Sequence, residues 1–79
     1  MQPSQIATLE DVFRAVFELP DGADVTTLAQ GVSEKWDSLA HVSLVAAIES
    51  QFNVVLDVAD QLDLTSFDAA ARILDERLS

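Results

Sequence analysis

The stretch Trp36-Asp37-Ser38-Leu39-Ala40-His41-Val42-Ser43-Leu44-Val45-Ala46-Ala47-Ile48-Glu49-Ser50-Gln51-Phe52 decides the fold. It contains no glycine or proline. Asp37 and Ser38 are both favoured helix caps, so a helix opens at one of them and runs to about Phe52. Placed at 100° per residue, His41, Leu44, Val45, Ile48 and Phe52 share one broad face, which is expected to be core. Leu39, Val42 and Ala46 form a second apolar stripe at i, i+3 and i+7, beside Ser38. An apolar stripe off the core face is either a docking surface or is covered by a neighbouring part of the chain, and the pattern leaves both open.

Outward from this helix, the same period of 3.6 recurs. Before it, Ile6, Leu9, Phe13, Val16 and Phe17 mark a helix from about Ser4 to Glu18, capped by Ser4, stopped by Pro20 and supported by a Glu10–Arg14 pair. After it, Asp57 caps a short helix through Leu62. Thr65 or Ser66 then caps a last helix, with Phe67, Ala70, Ala71, Leu74 and Leu78 on one face. Asp68 and Arg72 pair along it, and Arg77 suits its C-terminal end. Val54-Val55-Leu56 reads as a buried connection rather than a strand. The expectation is an all-α bundle of three main helices and one short one, with residues 1–79 as one domain. Pro20 to Asp37 is a long connection for so small a domain, and such loops are often functional. Val25, Leu28 and Val32 are expected to pin it to the bundle.

Composition bounds the function. A chain of 79 residues has no room for a dinucleotide-binding sheet or a barrel. With no cysteine and one histidine, disulfides and thiolate metal sites are excluded. The 49% hydrophobic content must build the core unaided and is too high for a disordered chain. Lys+Arg of 4 against Asp+Glu of 14 gives a net charge of −10. Such a charge disfavours nucleic acid and anionic membranes and favours basic partners. The N-terminus does not read as a secretory signal, and the longest apolar run, Leu44 to Ile48, is far short of a membrane span. A cytoplasmic monomer is expected.

Trp36-Asp37-Ser38-Leu39, followed by Leu44, Ile48-Glu49 and Phe52-Asn53-Val54, resembles the acyl carrier protein family. That family's motif is Asp-Ser-Leu opening a helix, with a hydrophobic-Glu-x-x-Phe pattern near its end. The order of elements is similar over nearly the whole chain. The resemblance implies a four-helix carrier whose Ser38, next to Asp37, receives 4′-phosphopantetheine from coenzyme A through a separate Mg²⁺-using transferase. The terminal thiol of that arm carries an acyl or aminoacyl group as a thioester between enzymes, and the carrier is not itself an enzyme. A phosphopantetheinyl transferase, a loading enzyme and downstream pathway enzymes are the implied partners. Leu39, Val42, Ala46, Glu49 and Trp36 are the implied recognition set, although Trp36 reads first as a packing anchor for the loop. The chain departs from the family pattern at Lys35, where glycine is frequent. It also carries only Glu49 as an acid between Leu39 and Phe52. Sparse acids there point toward a specialised pathway, polyketide or peptide-type, rather than housekeeping fatty-acid synthesis. The rival class is a non-covalent acidic helical adaptor.

His41 follows Ser38 by three residues, but a hydrolase would also need a group orienting the histidine and an oxyanion hole, and neither is evident. His41 is expected to be partly buried and hydrogen-bonded to the loop. Asp57, Asp60 and Asp63 lack the glycine and the terminal glutamate of a calcium loop and are expected to form a solvated acidic edge for basic partners.

Overall fold

The computed structural model describes residues 1–78; the last residue of the expected domain, Ser79, lies outside the described residues. Four helices follow in order: α1 (Pro3–Val16), α2 (Ser38–Phe52), α3 (Val58–Asp63) and α4 (Phe67–Leu78). Among the described residues there is no strand, only an isolated antiparallel bridge between Ala29 and Ser66. The all-α, four-helix architecture with a long first connection is therefore as expected.

Local chemistry sets the boundaries. The first helix starts earlier than expected, because Pro3 occupies its first position, where a missing N–H costs nothing. The Gln2 N–H donates to Gln5 Oε1 at 2.8 Å, while Ser4 lies inside the helix. The helix ends at Val16, before Pro20 can act. Glu18 takes a left-handed φ of 55°, and the Leu19 N–H turns back to the Arg14 carbonyl at 2.8 Å. Arg14 does not support the helix through Glu10. It pairs with Asp11 at 3.2 Å and donates from Nε to the Ala23 carbonyl at 2.9 Å, tying the loop to α1.

Asp37 caps α2, accepting the Ala40 N–H at 2.8 Å, and Asn53 closes it with φ 54°. Asp57 caps α3 in the same way, accepting from the Asp60 N–H. The Ser66 hydroxyl accepts from the Ala69 N–H at the start of α4, which decides between Thr65 and Ser66.

The core gathers around Phe13. Its ring lies 5.8 Å from Phe17, 5.8 Å from Trp36 and 5.1 Å from Phe67, and the last two contacts are edge-on. Aromatic rings prefer such tilted or edge-on packing because their faces are negative and their rims positive. Leu9, Val25, Leu44, Ile48, Leu64 and Leu74 complete the buried interior.

The connection from α1 to α2 is anchored by Val25, fully buried, and by Trp36; Leu28 is only half-buried, and Val32 points out at 82% exposure. The Val32 expectation fails because the chain turns at Gly31, with φ 85°, directly before it. The Gln30 N–H donates to the Thr65 carbonyl at 2.8 Å and the Phe67 N–H to the Leu28 carbonyl, so the loop is laced to the start of α4. Farther back, the Thr26 hydroxyl and N–H both donate to Asp24, and these bonds hold its carboxyl below the usual range.

Other expectations are corrected. Phe52 is only partly buried, because it is the last residue of α2 and reaches the rim of the core. Leu56 is buried, but Val55 beside it is exposed, so the connection before α3 is buried at one position rather than along its length. On α4, Ile73 and Ala69 are buried, while Leu78 lies at the exposed end. Arg77 does not simply face the α4 terminus, since it reaches across to α3.

Candidate functional site at the start of the second helix

Ser38 is the first residue of α2 and is exposed. The capping task that usually explains a serine at this place belongs to Asp37, whose carboxylate takes the Ala40 N–H. The Ser38 side chain makes no hydrogen bond among the described residues. In the first turn of a helix the leading N–H groups lack intrahelical acceptors and carry a partial positive charge. The Ser38 hydroxyl therefore stands at the positive end of α2, open to solvent and without a structural task.

The elements on both sides fix that position. α1 and α2 pack against each other. Trp36, only 4% exposed, inserts into the aromatic cluster and sets the chain just before Asp37. The ring serves as the expected packing anchor for the loop and is not part of an accessible recognition surface. The reason is that the indole completes the Phe13 and Phe17 packing. Lys35 donates to the Phe17 carbonyl at 3.3 Å, closing the end of α1 onto the same segment. An open groove of about 400 Å³ runs alongside, between Phe17 and Glu18 on one side and Leu39 and Ser43 on the other.

The two faces of α2 separate as the pattern implied. Leu44, Val45 and Ile48 are buried, whereas Leu39 is 76% and Val42 65% exposed, and Ala46 is exposed beyond them. The connection does not cover this stripe. Val58 and Leu62, one turn apart on α3, are also exposed. Glu49 belongs elsewhere: its Oε2 accepts the Leu56 N–H at 2.9 Å, which holds the chain leaving α2. It is a brace for that turn rather than a free recognition charge.

His41 is half-buried and is not brought to Ser38. Its Nδ1 meets the Trp36 Nε1 at 3.0 Å, and its Nε2 meets the Gln61 carbonyl oxygen at 2.9 Å. Both ring nitrogens are thus engaged away from the serine. The bond to the loop was legible in the sequence, but the link to α3 was not, because a backbone carbonyl has no signature in the side-chain pattern.

The acidic edge is also corrected. Asp60 is buried, accepting the Arg77 Nε at 2.8 Å, and Arg77 further pairs with Asp57 at 3.5 Å. The hydrogen bond to Asp60 raises the Arg77 pKa above its ordinary value. Two of the three aspartates are therefore joined to α4, and Asp63 alone of the three is left at the exposed end of α3. No helix among the described residues is long and apolar enough to cross a membrane. Comparison with protein-family models, with curated proteins and with solved structures returned no match to this chain.

Proposed function

We propose that the chain is a carrier of the acyl carrier type, modified at Ser38 with 4′-phosphopantetheine. The observation that supports this most strongly is the division of labour at the α2 start: Asp37 performs the capping, which leaves Ser38 exposed and unbonded. The residues fit the group. A phosphodiester on the Ser38 oxygen would sit where unpaired N–H groups and the helix dipole favour an anion. The exposed hydroxyl gives a transferase access, and the nearby Leu39 and Val42 give it an apolar contact.

The bound arm would supply a thiol, which the cysteine-free chain lacks, and through it a thioester link to cargo. The start of α2 would provide the attachment point, while the tether keeps cargo at high local concentration near each enzyme. Leu39, Val42 and Ala46 form the contact stripe. With Glu49 braced internally, α2 presents an apolar rather than an acidic face, which favours a specialised polyketide or peptide-type pathway over fatty-acid synthesis. Rim charges mainly govern association rate and salt dependence, so loading by the cognate enzyme should depend weakly on salt. The cytoplasm, where coenzyme A is abundant, is the compartment this chemistry requires.

The exposed Val58 and Leu62 suit a second reading, an adaptor that binds partners without any covalent group. Intact-mass measurement after incubation with coenzyme A and a permissive transferase separates the two. The carrier gains one phosphopantetheinyl group and Ser38→Ala gains none, with helical circular dichroism retained in both. An unmodified wild-type chain, or an alanine variant that is still modified, overturns the assignment.

A further inference from the structure

Hydrogen-bond roles around His41 fix its protonation. An indole N–H can only donate, so the His41 Nδ1 that meets the Trp36 Nε1 at 3.0 Å must present a lone pair. A backbone carbonyl can only accept, so the Nε2 that meets the Gln61 oxygen at 2.9 Å must carry the hydrogen. The bridge from the loop to α3 thus requires a neutral imidazole with its proton on Nε2.

Adding a proton to Nδ1 has unequal effects on the two ends. At α3 the Nε2–H still donates to the Gln61 carbonyl. At the loop, two donors then face each other. The Trp36 N–H, on a ring that is 4% exposed, loses its acceptor in a place water reaches poorly.

The charged groups nearby are engaged elsewhere. Lys35 holds the Phe17 carbonyl, and the Asp37 carboxylate holds the Ala40 N–H. From α3, Asp57 and Asp60 are paired with Arg77 of α4, and Asp63 lies at the exposed end. Glu49, two turns along α2, holds the Leu56 N–H. His41 makes no ion pair among the described residues that would hold an imidazolium in place.

We infer that His41 is a positioning residue and an acid-sensitive catch: neutral, it locks Trp36 and the chain entering α2; protonated, it releases Trp36 while keeping its hold on α3. Adding the proton therefore loosens the loop before Asp37-Ser38, because the Trp36 N–H is left without its acceptor. Its effect on presentation of Ser38 rests on the carrier reading. The catch itself does not, and its test needs no cofactor or transferase.

The test is NMR of the full-length ¹⁵N-labelled chain. Long-range imidazole spectra at neutral pH are expected to show the proton on Nε2. As His41 titrates, protection of the Trp36 indole N–H from exchange, corrected for intrinsic rate, should fall about tenfold or more, the factor matching loss of one buried hydrogen bond. Amides of α3 should keep their protection through the same titration. In Trp36→Phe, which keeps the packing ring but removes the N–H, backbone protection of residues 33–36 should no longer follow the His41 titration. A proton found on Nδ1 would overturn the inference. So would an indole indifferent to the titration, loss of α3 protection in step with the indole, or an undiminished pH response in the phenylalanine variant.

Discussion

Asp37 and Ser38 are neighbours with opposite fates, and the difference is one of backbone position. Asp37 has extended backbone angles and a carboxylate that reaches the Ala40 N–H, whereas Ser38 is already helical. The two substitutions should therefore separate. Asp37→Ala should lower stability by about 1 kcal/mol, the usual cost of an N-cap, whereas Ser38→Ala should stay within about 0.5 kcal/mol. Chemical denaturation of the two variants measures this. Equal destabilisation would mean that Ser38 shares the capping and has a structural task after all. Phe52 shows the same dependence on position: hydrophobic and in phase with the core face, it is only partly buried because the helix ends there.

At the scale of elements, α2 carries two faces and α3 inverts the usual arrangement. Ile48 is 1% exposed, so Ile48→Ala should cost about 2–5 kcal/mol, whereas Val42→Asp on the outward face should change stability by no more than about 0.5 kcal/mol. Thermal melts read the first comparison. Modification or loading rates of the Val42 variant read whether the stripe is used by a partner. Comparable unfolding by both substitutions would remove the two-face description. In α3 the only buried residue is Asp60, and the helix turns Val58 and Leu62 outward. It is held by its capping carboxylate, by Arg77 and by His41 at the Gln61 carbonyl, so polar bonds do for α3 what apolar burial does for the other helices.

For the whole molecule, stability is concentrated in one aromatic centre. Phe13 is fully buried and contacts rings from the α1 end, from the loop and from α4. Phe13→Ala should cost about 3–5 kcal/mol, a large part of the roughly 5–15 kcal/mol that holds a small domain folded. Urea unfolding followed by circular dichroism should show a midpoint far below wild type, with early loss of loop order because Trp36 loses its neighbour. A small shift would show that the cluster repacks around the space. The net charge of −10 adds self-repulsion to this modest core. That makes the internal pairing of Arg77 with Asp57 and Asp60 valuable, since the chain has only four basic side chains in total.

Periodicity and capping chemistry determined the four helices, the Leu44, Val45 and Ile48 face of α2 and the opening of that helix at Asp37-Ser38, because these depend on residues close in the chain and on a fixed helical repeat. Which of the two residues caps, and that the Leu39, Val42 and Ala46 stripe stays uncovered, came from the structure. The tertiary structure alone decided what depends on approach between distant segments. It put Trp36 inside the aromatic cluster and Val32 outside it, turned Glu49 to the Leu56 N–H, and gave Asp60 to Arg77 rather than to solvent. It also set His41 between the loop and α3. The physical reason is that a charge or a ring reads the same in sequence whether it faces water or a partner 17 residues away, as Asp60 and Arg77 are; only packing brings the partner within bonding distance.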